Sequence, residues 1–204
     1  MSQEYHRRIR RWTSASLFAA IIAAGSFISI PLPFSPVPIT LQNLFVVLAG
    51  LVAGPLAGTL AVAVFLAAGA LGAPIFSGMR GGLGVIAGPT GGFLAGYLLA
   101  ALVAGLIAGA PGERDLHGTP MARSRRVFLA VLAGFASMYV PGLLRLHAVI
   151  HPEPFFSAFS TGWKKTLAAG LLPFIPGMIF KIAIAVPTAL RLRRFMAGSD
   201  RDND

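Results

Sequence analysis

Four stretches of this chain, 13–30, 39–73, 89–110 and 127–150, run almost without charged side chains. That feature decides the fold class. A soluble domain of 204 residues must cover its outside with polar groups, and these segments have almost none to offer. With 55% of residues hydrophobic and 12% charged, the chain is expected to be an all-α polytopic membrane protein. Helices are the natural spanning element, because lipid offers no partner for an unpaired backbone N–H or C=O.

The formal net charge of +10 would suit a nucleic-acid partner, but the positions of the charges point elsewhere. Arg7, Arg8, Arg10 and Arg11 precede the first apolar run, Arg114, Arg123, Arg125 and Arg126 surround a central polar loop, and Arg191, Arg193, Arg194 and Arg201 follow the last. Six helices, at about 12–30, 39–53, 55–73, 89–110, 125–150 and 162–194, bring all three clusters to one side, which the positive-inside rule makes cytoplasmic. The chain then forms a single transmembrane domain over 1–204, with both termini cytoplasmic. Its cytoplasmic parts are a basic segment 1–11, a loop at about 111–125 and a tail at about 195–204. The arginines meet anionic lipid headgroups, and no nucleic acid is expected. The first apolar segment lacks a peptidase site and is expected to stay as a helix. "GLVAGPLAG", 50–58, predicts a tight turn between the second and third helices, making them an antiparallel hairpin.

The outer connections are 31–38, 74–88 and 151–161. Four prolines in "PLPFSPVP" stiffen an extended segment that either lies across a cavity as a lid or simply connects two helices. Ala15, Ala19 and Ala23 stand four apart and make one smooth helix face, which suits close packing inside the bundle as well as an external partner. "GPTGG", 88–92, lets a loop turn tightly or presents backbone N–H groups to an anion, but lacks the Gly-Lys-Ser/Thr of a nucleotide loop. Cysteine is absent, and the pair His147 and His151 is followed at once by Pro152 with only Glu153 near, so neither a disulfide nor a metal site is expected. Paired intramembrane carboxylates and a serine elbow are missing too, and an enzyme is not expected.

Setting aside the twelve clustered arginines leaves Arg80, Arg145, Lys164, Lys165 and Lys181. Lys181 closes "PFIPGMIFK", where two prolines and a glycine should interrupt the helix. An ionisable side chain at membrane depth beside a helix break marks a site that awaits an anion, although a lysine can also snorkel to the interface.

The stretches "PFSPVPITLQNLFVVLAG" (33–50), "FSGMRGGLGVIAGPTGGFLAGY" (76–97) and "PFIPGMIFK" (173–181) resemble the BioY family, the biotin-binding S components of energy-coupling factor (ECF) transporters. The similarity runs from about Ala15 to Arg194 and is weakest over 110–165. It implies a six-helix bundle of the S-component type in the cell membrane of a bacterium or archaeon, with biotin bound in an outward-facing pocket beneath the first loop. It also implies a transmembrane coupling subunit and two ATPase subunits, docking on Ala15, Ala19 and Ala23, or self-association where no dedicated module exists. The chain itself needs no cofactor, since ATP is used only by the partners.

On that resemblance, Lys181 is the expected partner of the biotin carboxylate, with Arg80 or Arg145 as a second cation. Thr40, Gln42 and Asn43 serve the ureido group, hold the lid, or cap a helix start. Tyr139 and Phe76 stack on the rings or pack in the core. Two positions depart from the family pattern. Met178 stands where an Asp is usual, and Arg145 near where a Trp is usual. The first removes an acidic partner from Lys181, and methionine could instead pack on the thiophane ring or fill a gap. Another carboxylate, such as lipoate or a biotin precursor, is therefore a second reading, and a membrane scaffold without a ligand a third.

Overall fold

The computed structural model describes residues 3–109, 111, 115, 119–151 and 162–201. Helix α1 (Gln3–Phe27) leads into a hairpin of β1 (Ser29–Leu32) and β2 (Ser35–Thr40), then α2 (Gln42–Ala70) and a short α3 (Leu83–Ala87). Helices α4 (Gly91–Ala108), α5 (Pro120–Ile150), α6 (Trp163–Gly170) and α7 (Ile175–Arg201) follow. Among the described residues, four apolar stretches are long enough to cross a membrane: α2, α4, α5 and 163–198. Helix α1 stands outside that set, its first half being the basic segment with Arg8, Arg10 and Arg11. It begins at Gln3 rather than near residue 12, because no proline or glycine interrupts 3–12 and its residues are good helix formers.

The break in α2 falls at Gly54, whose φ of 84° is open to glycine and strained for other residues. Pro55 follows it and starts the second arm, where a missing N–H costs nothing. The two arms fold back on each other: a methyl group at Gly58 would stand 2.6 Å from the Ala49 carbonyl oxygen. The tight antiparallel turn expected from "GPLAG" is thus present. Helix α4 runs between α2 and α5 at backbone contact. A methyl group at Gly105 would reach the Pro55 Cα at 2.6 Å, and one at Gly96 the Met138 carbonyl oxygen at 2.6 Å. Small residues take the place of lipid-facing bulk along these seams.

The segment 31–38 is extended as expected, but it pairs as an antiparallel ribbon, Ser29 with Thr40 and Ile30 with Ile39. Prolines are tolerated because a two-stranded ribbon is all edge. The last helix is also divided. A 3₁₀ turn at Leu172–Phe174 separates α6 from α7. Pro173 and Pro176 both lie at helix starts, where a ring in place of an N–H is harmless, so the chain breaks before them and not at Lys181, which lies inside α7. His147 ties α6 to α5: its Nδ1 lies 2.8 Å from the Thr166 hydroxyl, and Trp163 stacks on its ring at 4.3 Å. The outer connection 152–161 and most of the loop 111–118 lie outside the described residues.

One expected surface is corrected. Ala15 and Ala19 are buried, Ala23 is partly so, and together with Ile22 they face the bundle. The small residues that α1 leaves exposed are Ser16, Ala20 and Ala24, one position on. Both rows have a spacing of four, and packing against α2 decides which is covered.

Candidate binding site beneath the hairpin

The hairpin end of the bundle holds one of the groups of polar residues buried in the interior. Thr40 ends β2, and Gln42 and Asn43 open α2 directly beneath it, all three buried. Neither side chain caps the helix: the N-cap position is Leu41, with no side-chain bond to the backbone. Their amides point to other partners. Asn43 Oδ1 accepts from Lys181 Nζ at 2.8 Å. Gln42 Oε1 lies 3.5 Å from the Tyr97 hydroxyl, a long bond, while Gln42 Nε2 is buried without a partner. A buried donor left so costs about 1–3 kcal/mol, a cost retained where a bound molecule removes it.

Two small cavities of about 30 Å³ each meet around these groups. One is walled by Thr40, Gln42, Phe76, Arg80, Phe93 and Tyr97. The other is walled by Thr40, Asn43, Phe93, Tyr97, Tyr139 and Phe174. Phe93 and Tyr139 meet edge to face at 5.8 Å, and both rings line the second cavity together with the Asn43 side chain. A third, more open cavity of about 340 Å³ lies between the hairpin and residues 77–80, with Arg80 in its wall. Small-molecule sites occupy roughly 300–1,000 Å³, so the inner cavities hold little more than a water each while the hairpin is down. The hairpin is pinned by two hydrogen bonds: Ser29 to Ser77 between hydroxyls at 2.7 Å, and the Ser35 hydroxyl to the Ala169 carbonyl at 2.7 Å.

The other expected residues divide. Lys181 is 5% exposed and stands behind Asn43, one hydrogen bond from the inner cavity. It is therefore not without a partner, as the loss of an acid at Met178 suggested, but the partner is neutral. Arg80 lies at the mouth, its Nε donating to the Ser77 carbonyl at 3.1 Å. Phe76 is buried, packs edge to face on Phe65 at 5.4 Å and shows one side to the cavity. Met178 packs against the apolar core one turn before Lys181 and is absent from the three cavity walls. Arg145 is on the outside of α5, donating to the Ala87 carbonyl that ends α3, and does not supply the site with a second cation. Phe93, Tyr97, Met138 and Phe174 were not foreseen. Phe93 and Tyr97 stand four apart after "GPTGG", a spacing that puts both on one helix face.

The BioY family model matches residues 1–198. The biotin transporter BioY of Rhodobacter capsulatus is 44% identical over 187 residues, covering 86% of this chain and 88% of the relative. That of Thermotoga maritima is 36% identical over 190 residues, covering 91% and 97%. The crystal structure of the S-component for biotin from an ECF-type ABC transporter superposes with a TM-score of 0.71 at 26% identity, covering 95% of each chain. By family model, by relatives spanning nearly their whole length and by fold, this multi-pass membrane protein belongs to the BioY family.

Proposed function

We propose that this chain is a membrane-embedded substrate-capture subunit that binds biotin beneath the β1–β2 hairpin and carries it inward without altering it. The observation that carries this reading is the pairing of two unlike groups at one site: a buried ammonium, Lys181, and a buried amide donor without a partner, Gln42 Nε2. Biotin has a carboxylate for the first and a ureido oxygen for the second. Its bicyclic ring suits the aromatic sides, Phe93, Tyr97 and Tyr139. No step needs a nucleophile or a metal, since transport requires binding and release.

The arginine clusters make the end opposite the hairpin cytoplasmic, and biotin then arrives from outside when the hairpin lifts from Ser77 and Ala169. Biotin should stabilise the detergent-purified chain by RT ln(1 + [L]/Kd), roughly 2.7 kcal/mol at a hundredfold excess over Kd, and so raise its melting midpoint. Biotin amide at the same concentration should raise it far less. Equal shifts for acid and amide would remove the carboxylate from the recognition, and a shift with lipoate alone would move the substrate to another acid.

The energising partners are a transmembrane coupling subunit and two ATPases. On this chain the face open to them on α1 is Ser16, Ala20 and Ala24. Small residues there allow another helix to approach to backbone distance. Ala20→Leu is expected to leave biotin binding unchanged and to abolish ATP-driven uptake in cells supplied with the coupling module. Ala19→Leu, pointing into the bundle, should instead lower stability. Unimpaired uptake with Ala20→Leu would transfer docking to another face.

A further inference from the structure

We infer that Asn43 is a positioning residue for Lys181, and that its neutral amide is what makes the site select a carboxylate over its uncharged analogues. The inference rests on the reading of Lys181 as the carboxylate partner.

Lys181 and Asn43 are 138 residues apart in sequence and meet at 2.8 Å, both buried. The ammonium has three N–H groups, of which Asn43 Oδ1 takes one. Asn43 also belongs to the wall of the inner cavity, whereas Lys181 does not. The amide therefore stands between the charge and the space a ligand would fill, and fixes the direction from which the remaining N–H groups can be reached.

The charge balance makes the choice of an amide matter. Lys181 takes part in no ion pair among the described residues. Met178, three positions back on the same helix face, has no acceptor to offer beyond a thioether. A carboxylate at position 43, within hydrogen-bond reach of the ammonium, would offset its charge and leave an incoming anion less to gain. Asn43 holds the ammonium by a dipole alone, so the positive charge is left for the ligand. Asn43 sits in the first turn of α2, three residues past the buried end of β2 at Thr40. The strand that roofs the site and the residue that aims Lys181 are thus one continuous piece of chain.

The test compares biotin with biotin amide on the full chain in detergent, by calorimetric titration. The readout is the ratio of the two affinities, in which general damage to the site cancels. Asn43→Asp places an internal counter-ion on Lys181 and should lower the acid-to-amide preference at least about tenfold while amide affinity stays within about threefold. Asn43→Ser, too short to reach the ammonium, should lower the preference by a smaller factor, and is read the same way if Asn43→Asp does not yield folded protein. An unchanged ratio in both variants overturns the inference. So does an equal loss for acid and amide, which would mean that Asn43 touches the neutral part of the ligand. Lys181→Met separates the two levels. If it keeps the preference, the reading of Lys181 fails. If it abolishes the preference while the Asn43 variants keep it, only the positioning role fails.

Discussion

Lys181→Met is expected to weaken biotin binding by about 2–5 kcal/mol, on the order of thirtyfold to several thousandfold in Kd, and at the same time to leave the empty protein as stable as before or more so. The two signs have one origin. A buried ammonium whose partner is the neutral Asn43 has given up water for a single dipole, and methionine of similar length exchanges that cost for the smaller one of leaving the Asn43 oxygen without a donor. On the proposed role of Lys181 the cost is recovered when a carboxylate binds, so the residue that weakens the empty state would be the one that strengthens the loaded state. Binding titrations and melting curves on one preparation check both halves. Parallel loss of stability and of binding would make Lys181 a structural residue, and unchanged biotin affinity would take the carboxylate away from it.

How far such a site can be read from the sequence depends on whether the partners lie on one element. The helix run, the Gly54–Pro55 reversal and the extended proline segment are local, and hydropathy and backbone chemistry suffice for them. The pairing of that segment into a ribbon is not, since the same prolines would suit an unpaired connector. The faces of α1 show the limit sharply. Ala15 and Ala19 have the same spacing as Ser16, Ala20 and Ala24, and only contact with α2 tells the covered row from the open one. Lys181 is conspicuous as a lone charge near a helix break, but its partner lies 138 residues away and no periodicity connects them. Arg145 looked equally conspicuous, yet half a helical turn decides whether a cation faces the cavity or the outside of α5. Met178 is a true departure in composition whose side chain ends in the core, so the missing acid is felt through Lys181 and not through a methionine on the ligand.

Arg193→Met is expected to cost about 3–5 kcal/mol, lowering the melting midpoint by on the order of 10 °C, although "RLRR" gives no hint that this arginine differs from its neighbours. Arg193 is fully buried at the end of the bundle away from the hairpin. Its Nε and Nη2 grip the two Asp115 oxygens at 3.2 and 2.9 Å, a fork that only a guanidinium provides, and Arg126 adds a third bond at 2.8 Å. The remaining donors meet carbonyls of broken helices. Pro55 has no N–H to give the Leu51 carbonyl, and Arg193 Nη1 supplies one. Ala108 and Gly109, at the end of α4, have no helical partners either and accept at 3.0 and 2.9 Å. One side chain thus closes the first arm of α2, the end of α4 and Asp115 onto α7, and its loss leaves a buried carboxylate short of two bonds and three carbonyls without donors. Arg193→Lys should not restore stability, because three donors radiating from one nitrogen cannot span these positions. Arg191→Met and Arg194→Met, on the exposed sides of the same turn, should melt with the parent. Arg193→Lys melting with the parent would mean that charge alone is needed at this end. Equal losses across the three arginines would reduce the buried cluster to a general effect of the basic tail.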